Sequence, residues 1–549
     1  MKKIVVLGCL LCGYVGFSQV RVGFENNSQW YVDDQKVKID EKEADERFRS
    51  NSYLKVDYDY KKWTFGVQVE GYEPKALLNY SPDLKKVDLG TIYVRYNDIE
   101  NGLDVTAGHF YDQFGSGLLF RSWEDRQLGI NNSIFGVDAK YNLGSWGKIT
   151  ALGGRQRIGM GFDLSKSLIL GGDLEISLSD MIDTGEVDLT VGGSYLGRVL
   201  SDNDANKELD RFTNGYSFRA DLLSGNYYLN VEYVLKNKDY LFEGNTILDE
   251  FKQKGGALLV NSGYSERGFA VNLNLRRMEN MGFYSEREKY GNDYNAATLN
   301  YIPALTKQYD YSLQNIYVYQ AQSSFDIYTG GKLGEIGGQF DLFYELPKGS
   351  VLGGKYGANI VLNGSYWAGL KNKMNSSETG VEAGFFDFGD KYYHDLGLEV
   401  RKKWSKKWSS IFMFLNQYYN VGKLEFKPGV VNVNIFSAES TYQFMDNKSV
   451  RLELQHLWAD ADKKNWMAGT VEFALNNNWS VFASDMYNYG NDDKEKRIHY
   501  YNAGVSFTKG TMRVSTSYGR QRGGLLCVGG VCRMVSEAAG LTIGITSSF

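Results

Sequence analysis

From Ser52 to Tyr72 the chain alternates with a period of two. Leu54, Val56, Tyr58 and Tyr60 are separated by Lys55, Asp57 and Asp59; after Lys61 and Lys62 come Trp63, Phe65, Val67 and Val69 against Thr64, Gly66, Gln68 and Glu70. Successive side chains of a strand point to opposite faces, so each segment has one apolar and one polar face. Aromatics crowd the two-residue turn, and the same punctuation returns at Trp404-Ser405-Lys406-Lys407-Trp408 and Asn476-Asn477-Asn478-Trp479. Long segments alternate with these short turns. Apolar stripes, aromatic ends and connections of unequal length are the pattern of a transmembrane β-barrel with short periplasmic turns and long external loops.

Followed along the chain, the alternation predicts 24 strands: 20–31, 51–60, 63–72, 89–97, 103–112, 134–142, 148–157, 169–178, 186–199, 214–223, 226–238, 256–264, 268–277, 335–345, 351–369, 391–404, 408–420, 431–445, 449–459, 466–475, 479–490, 499–508, 511–522 and 533–549. The expected fold is all-β: one large antiparallel transmembrane barrel of about 24 strands, within a range of roughly 22–26, its lumen closed by loops. A two-sheet soluble protein would not need aromatic pairs beside nearly every short turn. The stretch 278–334 has the weakest alternation and leaves room for another hairpin.

The two ends agree. Met1, Lys2 and Lys3 precede a short apolar run from Ile4 to Gly16, and Phe17-Ser18-Gln19 supplies a small residue at a cleavage point after Ser18. That order predicts a secretory signal at 1–18 and a barrel domain at 19–549. Leu541, Ile543, Ile545 and the terminal Phe549 form a last strand with an apolar face, the expected C-terminal barrel signal.

Composition sharpens this picture. Aromatics make up 15% of the chain, with 40 Tyr, and 62 Gly stand against 5 Pro, which favours strands. All five prolines (Pro74, Pro82, Pro303, Pro347, Pro428) fall between the periodic segments, where no ladder bond is lost. The formal charge is −5; without Lys2 and Lys3, 59 basic residues face 66 acidic ones, which points away from nucleic acid as a partner. Cys9 and Cys12 lie in the signal. Cys527 and Cys532 flank Val528-Gly529-Gly530-Val531, the arrangement of a disulfide across a hairpin tip in an exported protein.

A barrel this wide needs a filled lumen. One candidate filling is Met278 to Glu335, too apolar for a disordered linker with Tyr301, Ile302, Leu305, Tyr309, Tyr311 and Leu313; it folds either into the barrel or over it as an external lid. The other is a constriction loop following the fifth strand, with His109, Tyr111, Asp112, Arg121, Glu124, Asp125 and Arg126 around Gly115 and Gly117. Those residues suit either a functional eyelet or a structural brace. Two basic pairs, Arg155 with Arg157 and Arg520 with Arg522, sit at the outer ends of upward strands. All four are candidate lipopolysaccharide contacts, or else ordinary rim charge; extending the alternation turns Arg520 and Arg522 outward, unless a bulge turns them in.

Catalytic signals are weak. None of His109, His394, His456 and His499 is followed two residues later by Ser, and His394 and Asp395 point to opposite faces of a strand. The expectation is no enzyme, no cofactor and no metal site.

The stretch from Gly108 to Gly117, the run Arg121 to Arg126, Asn300-Tyr301-Ile302-Pro303-Ala304-Leu305 and the segment Arg520 to Arg533 together resemble a family of Bacteroidota outer-membrane barrels classed as a domain of unknown function. The resemblance covers the mature chain and implies an outer-membrane location. It also implies an accessory subunit of a large outer-membrane complex, with the barrel-assembly machinery as the specific expectation. The leading functional expectation is therefore a non-catalytic scaffold in a protein-assembly or export complex. Its partners would be outer-membrane lipid, lipopolysaccharide and other outer-membrane proteins. The rival is a passive porin-like channel for small solutes.

Overall fold

The structure is a computed structural model that describes residues 19–39, 46–200, 211–243, 246–286, 297–323, 332–374 and 381–549. The predicted signal at 1–18 lies outside them. The barrel strands are β1 Val20–Tyr31, β2 Phe48–Tyr60, β3 Trp63–Tyr72, β4 Lys86–Asp98, β5 Leu103–Phe110, β6 Ile134–Leu143, β7 Gly147–Gln156, β8 Leu168–Ser177, β9 Val187–Val199, β10 Phe212–Ser224, β11 Tyr227–Glu243, β12 Thr246–Glu266, β13 Phe269–Glu279, β14 Gly334–Leu346, β15 Ala358–Met374, β16 Val381–Lys403, β17 Trp408–Tyr419, β18 Val431–Met445, β19 Lys448–Ala459, β20 Trp466–Ala474, β21 Trp479–Tyr487, β22 Asn502–Lys509, β23 Met512–Gln521 and β24 Ala538–Ser548. Each of the 24 predicted segments corresponds to one strand of this single 24-stranded sheet.

Every strand pairs antiparallel with its chain neighbour, and β24 pairs with β1 from Gly23↔Ser548 to Tyr31↔Gly540. The seam runs on past the strand, with Val22 N donating to Phe549 O at 3.1 Å and Phe549 N to Val22 O at 2.9 Å. The sheet is thus closed, and no edge is left in the hydrocarbon, where unpaired backbone groups cost several kcal/mol each. At the short-turn end the outward aromatics pair across strands: Trp63 with Tyr96 at 4.9 Å, Trp404 with Trp408 at 5.5 Å and Trp479 with Phe507 at 4.8 Å. They form the interfacial girdle that such barrels carry.

Strands β12 and β16 begin ten residues before expectation, at Thr246 and Val381, and two other boundaries shift for local reasons. A 3-10 turn at Gly354–Tyr356 delays β15 to Ala358. The segment Val531–Val535 leaves the wall to pair with Gly524–Val528, so β24 starts only at Ala538. No extra barrel strand arises in the described part of 278–334, which carries a 3-10 turn at Ser312–Ile316 instead.

At the outer end of β5, β6 and β7 three glycines lie side by side, Gly136 opposite both Gly108 and Gly154. A β-carbon on Gly136 would lie 1.9 Å from the Gly153 carbonyl oxygen, and one on Gly108 2.4 Å from that of Ile92. The close approach lets the wall bend where the chain turns into the lumen. Gly136→Val should therefore cost about 1–3 kcal/mol, read as a lower urea midpoint for the heat-modifiable band of the folded barrel in gel electrophoresis.

Candidate functional site: the filled lumen

The connection between β5 and β6 folds inward. Gly115 and Gly117, both with positive φ, turn it sharply between the short paired segments Gln113–Phe114 and Phe120–Arg121. Phe114, Leu118, Leu119 and Phe120 then bury against inward residues of the wall, among them Ile134, Leu152, Ile169, Leu196 and Val234. The tip is fixed by Ser116 N, which donates to Glu232 Oε2 at 2.9 Å.

The charged end of this loop is tied to the opposite wall. Arg126 donates to Glu25 on β1 at 2.9 Å and to Gln68 on β3 at 3.2 Å, and its guanidinium lies 4.7 Å above the Tyr53 ring. Glu124 accepts from Gln68 at 2.7 Å, and Asp112 pairs with Lys140 at 2.8 Å. Asp125 accepts from Leu128 N, and Tyr111 donates to Asn131, both within the loop. The loop thus spans the lumen from β1 to β11.

The segment between β13 and β14 is the second filling. Tyr311, Leu313, Ile316, Tyr317 and Tyr319 bury against Trp367, Met413, Leu415, Val433, Ile435 and Leu457 of β15 to β19. A buried latch holds it in place. Arg276 on β13 donates to Glu335 on β14 at 2.6 Å and to Pro303 O at 2.7 Å, while Tyr319 OH and Gln322 N donate to the other oxygen of Glu335 at 2.5 and 2.7 Å. Lys236, on β11, donates to Gly282 O at 2.5 Å.

The two fillings form one body. Arg121 N donates to Leu299 O, Tyr301 N donates to Gly117 O, and Asn300 bridges Leu118 O and Met281 O. The Arg121 guanidinium sits 4.0 Å above the Tyr301 ring and 5.5 Å from Trp123. The hairpin tip caps this body from the outside. Cys527 and Cys532 are disulfide-bonded directly across it, Ala304 N donates to Gly530 O at 2.9 Å, and Tyr301 OH donates to Gly529 O at 2.7 Å. In the nearby outer connection, burial holds the Lys463 ammonium below the usual lysine range while it donates to Ile316 O.

Several sequence-predicted positions move. His109 belongs to the outward row of β5, opposite Phe135 and covered by Phe162, so it is not a lumen residue. Arg157 lies past the last ladder residue of β7 and is turned inward, 3% exposed and paired with Glu70 at 2.8 Å, which removes it as a lipid contact. Arg522 likewise turns to the filling and donates to Asn315 O at 2.6 Å. Arg520 is taken up by Asp34, His499 O and the Tyr501 ring. Arg155 remains exposed on the outer face, as do Leu541 and Phe549.

Sequence reasoning missed Arg276, Glu335, Lys236, Glu232 and Glu70. A signal for the filling existed. In Ile411-Phe412-Met413-Phe414-Leu415 the alternation fails because both faces are apolar, and an apolar inner face needs something to bury.

A closed sheet with an apolar outer band and a lumen filled by its own loops defines a large outer-membrane-type β-barrel. The chain belongs to the family of unknown function DUF6029, the match spanning residues 1–549. No curated protein matches the sequence. Among solved structures, the translocation pore of the P pilus usher PapC is 9% identical with a TM-score of 0.42, over 96% of this chain and 99% of that one. The siderophore receptor PirA from Pseudomonas aeruginosa is 8% identical with a TM-score of 0.40, over 98% and 81%. A BenF-like porin from Pseudomonas fluorescens is 9% identical with a TM-score of 0.35, over 80% and 98%. At these scores the barrel rests on its own strand pairing.

Removing one partner of a buried ion pair leaves an uncompensated charge, at about 3–5 kcal/mol. Glu335→Ala should therefore expose the segment 297–322 to limited proteolysis while the barrel still migrates as folded. Arg276→Met combined with Glu335→Leu should restore part of the protection.

Proposed function

We propose that this protein is a non-catalytic outer-membrane barrel, closed by its own loops, that serves as a scaffold or accessory subunit of an outer-membrane protein-assembly or export complex. The observation that carries the reading is the latch of Arg276, Glu335, Tyr319 and Pro303 beside the apolar packing of the second filling. A passive porin needs a lumen that solutes cross freely. Here wall and filling share buried charges, which cost too much to separate on each passage.

The histidines support a non-catalytic reading. His394 stacks on Tyr418, His456 bonds Tyr489, and His499 is held between Asp485 and the Tyr487 ring. No Ser or Cys among the described residues is hydrogen-bonded to the His499 ring.

One observation favours a second reading, conduction after displacement of the filling. Below it the wall is acid-rich: Glu399 pairs with Arg401, while Glu439, Glu453 and Glu472 share Arg451. Under the loop tip a cleft of about 310 Å³ is lined by Glu175, Arg219, Asp221 and Glu232, among others. Rings of carboxylates select cations.

Two measurements separate the readings. Affinity pull-down from native membrane in mild detergent, read by mass spectrometry, should recover other outer-membrane proteins in stoichiometric amounts; recovery of the barrel alone would sink the scaffold reading. In planar bilayers the pure protein should conduct little, and excision of 300–321 should open a cation-selective conductance. Changing Glu439, Glu453 and Glu472 to Gln should then bring the reversal potential toward zero, whereas large conductance of the intact protein would favour the porin.

A further inference from the structure

The outward face of β16 to β19 turns polar at one level, above which Phe388 on β16 and Trp458 on β19 are again exposed. Going up from the short turns, Leu398 and Leu396 on β16 give way to His394, and Phe412 and Phe414 on β17 to Asn416 and Tyr418. On β18 Phe436 gives way to Asn434, and on β19 Leu452 and Leu454 to His456. The apolar residues below the switch are well exposed, Leu396 at 49% and Leu454 at 56% among them, as befits side chains that face lipid. By contrast, β8 keeps Leu174, Leu170 and Leu168 exposed up to its outer end. A strand tilted by about 40° and rising about 3.3 Å per residue climbs roughly 30 Å in twelve residues. Lys391, that far above Lys403, therefore stands just beyond an apolar band about 25 Å tall.

Above the switch the groups are organised on rings. The Lys391 ammonium lies 4.0 Å from the centre of the Tyr418 ring and 5.9 Å from that of Tyr366. His394 lies parallel to Tyr418, at 5.6 Å between ring centres. Asn416 donates to Asn434 at 2.9 Å, and Trp458 packs on His456 at 4.1 Å. Among the described residues no carboxylate lies within ion-pair distance of Lys391; its neighbour Asp390 is paired with Lys423 at 2.8 Å. A cation held by aromatic faces keeps its charge for an anion. Beside it stand amides and imidazoles suited to hydroxyl groups.

We propose that this arc of the outer rim binds the phosphorylated sugar headgroup of an outer-leaflet glycolipid. Lys391 takes the phosphate, and His394, Asn416 and Asn434 meet the sugar hydroxyls. The acyl chains lie along Leu396, Phe414, Phe436 and Leu454 below. The occupant follows from position: the site begins where the hydrocarbon face ends, so its ligand carries an anionic head and apolar tails in register with both. The site is independent of the filled lumen and of any partner protein.

The test uses the full protein, stripped of lipid in detergent and titrated with bisphosphorylated lipid A, the same lipid dephosphorylated, and inorganic phosphate, with adducts read by native mass spectrometry. Lys391 is probed by K391E and the milder K391Q, with K85E in an exposed outer connection as control, and heat-modifiable migration verifies folding of each. Bisphosphorylated lipid A should give a discrete adduct that K391E weakens tenfold or more, K391Q less, and K85E within about twofold. Equal binding of the dephosphorylated lipid, or unchanged binding by both Lys391 variants, would overturn the proposal. Displacement of the lipid by millimolar inorganic phosphate would overturn it as well, by making the site one for the free anion.

Discussion

Everything in this structure follows from the closure of one hydrogen-bonded ring. Hydrocarbon offers the backbone no partners, so a sheet in a bilayer must consume its own edges. The bonds between β1 and β24, continued by Val22 and Phe549, do this. With 24 strands spaced about 4.8 Å and tilted about 40°, the ring is roughly 45–50 Å across. A wall of that circumference cannot fill its interior with its own side chains, so satisfying the backbone on the outside creates a void inside.

The void is filled by two kinds of contact with different roles. Apolar packing of Phe114, Leu119 and Phe120 on one side and of Leu313, Ile316 and Tyr317 on the other supplies adhesion, at about 25 cal/mol per Å² removed from water. Such packing is non-directional and would tolerate a shifted loop. The buried charges do not. Glu335 offers two oxygens to Arg276, Tyr319 and Gln322 in one arrangement only, and a displaced loop would leave the charge unpaired. The ion pairs thus set register, while their desolvation cost limits what they add to stability.

This division also explains what the sequence disclosed. Inside the membrane, lipid on one side and lumen on the other enforce a period of two on every strand, so all 24 strands were legible. Where the chain leaves that environment the rule lapses. Arg157 stands one residue beyond the ladder of β7 and turns in to Glu70, and Arg522 stands one residue beyond β23 and turns to Asn315. His109 shows the reverse error. It still obeys the alternation of Leu103, Val105 and Ala107, and only its nearness to the loop suggested the lumen. The partners of the filling were hidden for another reason: Arg276 and Glu335 are 59 residues apart, and nothing local in either strand marks the one for the other.

The filling has a direction. Its outer side is capped by the disulfide-closed hairpin at Gly529 and Gly530, and its inner side faces the acid-rich wall through Ser116 and Glu232. A force from outside must first move a hairpin stiffened by a covalent link. At the inner end the loop tip is held by Ser116 N on Glu232, a buried carboxylate whose other oxygen accepts from Ser217 at 2.6 Å. The filling is therefore fastened by a covalent link at one end and by a buried, doubly bonded carboxylate at the other, so loosening it breaks buried polar contacts whichever side it starts from.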